Sequence, residues 1–174
     1  FCYQEEIQML IESTVTELSC FMMNKIVLIA CVSQKLNIKA KAKDMYTSAL
    51  FLYSWQYANV LKPDKIFILS ALYHLLEPET EIEPYNVTLS LVPKAKRKKG
   101  LVVLSSAEKK DWGMTVVEML SKHANLQSDL FIVLAGQEYM KPILPYLSNI
   151  DDRLKGMSIG KRLRYLKSQL KCNQ

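Results

Sequence analysis

Apolar residues gather in three short, nearly unbroken runs: residues 25–31 (K-I-V-L-I-A-C), 65–70 (K-I-F-I-L-S) and 130–135 (L-F-I-V-L-A). Each is β-branched and lacks the alternation of a half-exposed strand, so the pattern predicts buried strands covered on both faces. Between them the period changes. Leu50, Tyr53, Tyr57 and Leu61 share one face at helical spacing and predict a helix over 46–61, with Asp44 or Thr47 as N-cap. A second helix is expected over about 106–123, and a third from Gln137, containing or ended by Pro142 and Pro145. Ile159, Leu163, Leu166 and Leu170 form an apolar stripe on a basic C-terminal helix that Ser158 can cap. Residues 36–43 read as a lysine-rich loop, and 71–76 as a continued strand or a short helix. Residues 77–93, with three prolines, read as irregular, 94–100 as a basic connector and 101–104 as a short strand.

Strands alternating with helices imply βαβ units, hence an α/β fold: a three-layer, Rossmann-like sandwich around a mostly parallel central sheet. No repeat or second domain is visible, so residues 23–174 are expected to form one domain. Residues 1–22 lack the basic start and clean apolar stretch of a signal peptide. With Met22-Met23-Asn24 standing directly before the first strand, they are expected to be an extension outside the fold.

Composition sharpens this picture in two ways. The chain is 49% hydrophobic and 23% charged, with no apolar run long enough for a membrane span. Its net charge of +6 is unevenly spread: residues 1–22 hold four acids and no Lys or Arg, leaving 23 bases against 13 acids (+10) in the rest. That favours an anionic partner, a nucleotide or nucleic acid, although a merely solvated basic surface reads the same way. The four cysteines contain no Cys-x-x-Cys pair and the two histidines are far apart. A zinc site and a disulfide framework are therefore not expected, nor is a cofactor, and a reducing cytoplasm fits best.

In open α/β sheets ligands bind beyond the carboxyl ends of strands. The first strand runs out into Cys31-Val32-Ser33-Gln34-Lys35, which offers a thiol, an anion-binding hydroxyl and an amine. A lysine near other cations, here Lys39, Lys41 and Lys43, can have its pKa depressed and act as a nucleophile or base. The plain alternative is a packed Cys31, a turn-capping Ser33 and a solvated Lys35. Asp44-Met45-Tyr46-Thr47-Ser48 opens a helix whose free N–H groups and hydroxyls can hold a phosphate, or merely cap it. No glycine lies between Cys31 and Lys99, which excludes a Walker loop or a dinucleotide-binding glycine motif in the first βα unit. Ser70 and Tyr73 follow the second strand and can approach Ser33, with His74 beside them. The acidic loop over 77–85 offers Glu83 as a general acid or base. Lys94, Lys96, Arg97, Lys98 and Lys99 can grip a phosphate backbone, or form a solvated loop.

Taken together, Cys31-x-Ser33-x-Lys35, Asp44-Met45-Tyr46-Thr47-Ser48-Ala49-Leu50-Phe51, Leu69-Ser70-Ala71-Leu72-Tyr73-His74-Leu75-Leu76 and Glu83-Pro84-Tyr85 resemble the pattern of an uncharacterised bacterial and phage family of unknown function. The segment 154–163 is similar to that family's closing segment, and the resemblance spans roughly residues 24–170. Leu72 stands where the family tends to have Lys, and His74 where it tends to have Gly, a position suited to positive φ. More distantly, the Cys-Ser-Lys strand end is similar to a motif in archaeal tRNA-guanine transglycosylase relatives and archaeosine synthase. That likeness implies a uracil-DNA-glycosylase-like fold and a link to modified bases.

The leading expectation is an enzyme acting on a nucleotide, nucleobase or nucleic acid by glycosidic-bond or base-modification chemistry. Lys35 and Glu83 are its candidate catalytic residues. Cys31 walls the site, Ser33, Tyr46, Ser48 and Ser70 bind ligand, and Tyr73 and Tyr85 stack on a base. The rival is a non-catalytic nucleic-acid-binding module of a phage or defence locus, gripping its partner through residues 94–99 and the C-terminal helix.

Overall fold

The computed structural model describes residues 23–172. The first strand, β1 (Lys25–Ala30), lies at the centre of a five-stranded sheet, and Ile26, Val27, Leu28 and Ile29 are all buried. Both faces of β1 are thus covered, as its unbroken apolar run requires. On one side β1 pairs in parallel with β3 (Lys65–Ser70), which turns back into the antiparallel edge strand β4 (His74–Leu76). On the other it pairs in parallel with β8 (Leu130–Leu134), and β8 with the parallel edge strand β9 (Asn149–Asp152). The order is therefore β4-β3-β1-β8-β9: an α/β fold on a mostly parallel, mixed sheet. The chain leaves β1 for one side of the sheet and later returns to its other side. This reversal of strand order opens a crevice between the carboxyl ends of β1 and β8.

The linking segments hold more structure than their composition suggests. Residues 36–43 are not simply a loop: they contain β2 (Ala40–Lys41) and run into a single helical turn, α1 (Ala42–Met45). β2 pairs with β5 (Glu81–Ile82) inside the supposedly irregular acidic segment. The lysine-rich and acidic stretches are consequently partners. Lys39 pairs with Glu81 at 2.9 Å, and Lys41 (2.8 Å) and Lys43 both pair with Glu79.

The next helix, α2 (Ala49–Val60), starts later than the spacing predicts. Its N-cap is Ser48, whose Oγ accepts from the Phe51 N–H, rather than Asp44 or Thr47. It buries Phe51, Ser54, Tyr57 and Ala58 and packs against β1 and the C-terminal helix. Residues 71–76 neither continue β3 nor form a helix; they make a tight return into β4, with His74 at φ 64°. Two short parallel strands, β6 (Val87–Thr88) and β7 (Val102–Val103), close the base of the basic connector.

The helix α3 (Ser106–Ser121) opens with a reciprocal capping box between Ser105 and Glu108. After β8 come a short helix, α4 (Gln137–Met140), then β9, and finally α5 (Ile159–Cys172). On α5 Leu166 is fully buried and Leu163 and Leu170 are half-buried, but Ile159 is 66% exposed. The expected N-terminal extension lies outside the described residues. No helix among them is long and apolar enough to cross a membrane.

Candidate functional site

A cleft of about 320 Å³ occupies the crevice between the ends of β1 and β8. One wall follows β1: Cys31, Ser33 and Lys35 all line the cleft. Backbone pairing fixes this turn. The Cys31 N–H donates to the Leu69 carbonyl at 2.9 Å, while the Leu36 and Thr47 N–H groups donate to Met45 and Gln34. Lys35 is thereby held opposite Tyr46 in an isolated antiparallel bridge.

Lys35 has no carboxylate partner among the described residues. Its ammonium stands 4.3 Å from the centre of the Tyr85 ring and 5.8 Å from that of Tyr46. Burial holds its pKa below the ordinary lysine value, with Cys31 partly opposing the shift. The neighbouring lysines expected to cause such a shift do not: Lys39 and Lys41 are engaged with Glu81 and Glu79, and their own pKa values are raised by those pairs.

The opposite wall comes from the end of β8 and the start of α5, through Gly136, Tyr139 and Arg162. Arg162 Nε donates to the Met157 carbonyl at 2.9 Å, which aims the guanidinium toward Gly136. A Cβ at Gly136 would sit 3.3 Å from Arg162 Nη1, so the glycine gives the guanidinium room against the backbone. A third side carries Asn86, Thr88 and Ser90, and apolar cover comes from Leu50, Phe51 and Leu154. Among the described residues lining the cleft there are two cations, several hydroxyls and no carboxylate. Such a surface attracts an anion and gives a planar or apolar group somewhere to lie.

Behind Cys31 runs a buried chain of hydroxyls. The Cys31 thiol meets the Tyr139 hydroxyl at 3.0 Å and lies against that of Tyr85. Ser70 Oγ donates to Tyr85 Oη at 2.8 Å, and Tyr85 Oη meets Tyr46 Oη, also at 2.8 Å. The Ser70 Oγ accepts from the Tyr73 N–H, and the Ser70 carbonyl accepts from the Trp112 indole at 2.9 Å. Burial raises the pKa values of Tyr46, Tyr85 and Tyr139, so all three stay protonated. The chain braces the cleft's inner wall and leaves Cys31 as part of that wall.

The sequence-predicted residues therefore divide. Cys31, Ser33 and Lys35 reach the cleft. Tyr46, Ser70 and Tyr85 do not line it. They are held behind its wall, and the face of Tyr85 is taken by Lys35 and its edge-on contact with Tyr73 (centroids 5.5 Å apart). Neither tyrosine is presented in the cleft for a base to stack on. Ser48 is occupied as the α2 cap. Glu83 is exposed and does not line the cleft; its carbonyl accepts from the Tyr73 hydroxyl at 3.3 Å and its charge faces Lys39. Residues 94–99 form an exposed excursion beside the cleft. Arg162, Tyr139, Asn86 and Thr88 were not expected. Gly136, directly after the clearest late strand, was the available signal, because the strand-end rule applies to β8 as it does to β1.

A family model described as a family of unknown function, DUF6884, matches residues 26–168. No curated protein and no solved structure matches the chain.

Proposed function

The chain belongs to the DUF6884 family, whose function is unknown, and from the cleft itself we propose that it acts on a nucleotide. The observation that carries this reading is the pairing of Lys35 with Arg162 across a cleft that no carboxylate lines. In this reading Lys35, Arg162 and the Ser33 hydroxyl hold the phosphate, with Asn86 and Thr88 beside it. The nucleoside lies against Leu50, Phe51 and Leu154. The volume, at the lower end of the roughly 300–1,000 Å³ typical of small-ligand sites, suits one nucleotide unit.

Glycosidic-bond or base-modification chemistry is the reaction class proposed, with Lys35 as the cation that holds the substrate's phosphate in place for it. Glu83 takes no part in it, since it does not line the cleft. A three-layer, uracil-DNA-glycosylase-like arrangement and a cytoplasmic setting accompany the proposal.

A second reading, a non-catalytic nucleic-acid-binding module, is favoured by the exposed cations of residues 94–99. It has no use for the two cations, Lys35 and Arg162, that line the cleft. Mass spectrometry of small molecules released from the native protein tests the nucleotide reading: a phosphorylated nucleoside is expected, and a ligand without an anionic group counts against it.

A further inference from the structure

The excursion between β6 and β7 adjoins the cleft at both its ends. Val92 before it and Leu101 after it line the cleft, while residues 93–100 between them are all exposed. Its base is tied shut: the Val102 N–H donates to the Asn86 carbonyl at 2.9 Å and the Leu104 N–H to that of Thr88 at 3.0 Å. Arg97 Nε donates to the Val92 carbonyl, and Gly100 turns the chain back at φ 80°. The loop is thus a shaped projection from the cleft's rim.

Its charge is equally particular. From Pro84 to Ala107 there is no acidic residue, and within this stretch stand Lys94, Lys96, Arg97, Lys98 and Lys99. None of the five makes an ion pair among the described residues. Lys39, Lys41 and Lys43 are instead paired with Glu81 and Glu79 at the β2–β5 ribbon and its flanks. Unpaired positive charge is therefore concentrated beside the cleft. Exposed apolar side chains stand at the same rim, Leu91 at 76% and Ile159 at 66% exposure.

We infer that the nucleotide in the cleft is one unit of a single-stranded nucleic acid whose adjoining phosphates run along residues 94–99. The inference rests on the nucleotide reading and extends it to the substrate class. The cleft accommodates one unit, so the rest of a strand must lie outside, and the neighbouring surface carries five cations with no carboxylate partner among the described residues. A free mononucleotide would leave all five unused. A single strand is specified because a base enters a pocket without the cost of leaving a duplex stack.

The test compares a fluorescent mixed-sequence single strand of about ten nucleotides with a nucleoside monophosphate. Both are titrated against the wild type, a K94A/K96A/K98A/K99A variant and Arg162→Ala. The loop variant should lose at least about tenfold in affinity for the strand and flatten its log–log salt slope by about two to three. Its affinity for the monophosphate should change by less than about twofold. Arg162→Ala should weaken both ligands. If the loop variant binds the strand as well as the wild type, the inference is overturned while the nucleotide reading stands. If neither ligand binds the wild type, both fall.

Discussion

Lys35 Nζ stands 4.3 Å from the centre of the Tyr85 ring, over a phenol whose hydroxyl is itself fixed by Ser70 and Tyr46. An aromatic face steadies the ammonium without neutralising it, so its charge remains available to a ligand. The same placement takes the lysine partly out of water and lowers its pKa.

A pH dependence follows from that shift. The folded state gives up the Lys35 proton below the ordinary value of 10.5, the unfolded chain only near it. The cost of burying the charge is fully present below the folded pKa and is relieved as pH rises toward 10.5. The stability of the wild type relative to Lys35→Met should therefore increase across that alkaline window, as read by denaturant unfolding. Pulse acylation followed by peptide mass spectrometry should show Lys35 becoming reactive at a lower pH than an unperturbed lysine. An anionic ligand should shift that onset upward.

Ser70 is fully buried and serves two groups, donating to Tyr85 and accepting from the Tyr73 N–H. Ser70→Ala should cost about 1–3 kcal/mol in urea unfolding, since it leaves polar partners unsatisfied. It should also weaken ligand binding by disturbing the Tyr85 platform under Lys35. Unchanged stability would mean that the buried hydroxyl chain is not bracing this wall.

His74 adopts φ 64° where the chain turns from β3 into β4. Left-handed backbone costs a side chain roughly 1–2 kcal/mol, and β-branching makes it worse. His74→Val should lower the melting temperature, and His74→Gly should preserve or raise it. Burial also lowers the His74 pKa. Its contribution to stability is complete above the ordinary value of 6.5 and is lost as pH falls from there toward the folded pKa. His74→Gly should remove that part of the acid sensitivity.

Gly113 lies buried in α3 against Pro142, where an added Cβ would run into the Pro142 ring and sit 2.8 Å from its carbonyl oxygen. Helix propensity alone favours Ala by up to about 1 kcal/mol. The collision with backbone outweighs it, so Gly113→Ala should destabilise by roughly 1–3 kcal/mol in thermal or urea unfolding.

The sequence made the buried strands legible because their apolar runs carry the signal themselves: β3 matches its predicted span, and β1 and β8 each end one residue sooner. The edge strands were not legible. Asn149-Ile150-Asp151-Asp152 is polar, and β4 is three residues long, so neither has a pattern to detect. Strand-end reasoning found Cys31, Ser33 and Lys35. Glu83, offered by the acidic loop, does not line the cleft, and an acidic loop looks the same in sequence whether it faces a cleft or, as here, a lysine-rich ribbon. Arg162 was hidden within a basic helix, where nothing local distinguishes a guanidinium turned toward Gly136 from one turned to solvent.

The most direct test of the account is isothermal titration of nucleoside monophosphates, with the matching nucleosides as controls, into wild type, Lys35→Ala and Arg162→Ala. At least one monophosphate should bind the wild type in a single site, its nucleoside should bind far more weakly, and each substitution should cost about tenfold or more, the scale of a charged hydrogen bond. Monophosphate binding that is indifferent to both substitutions, or no preference for the phosphate, would contradict it.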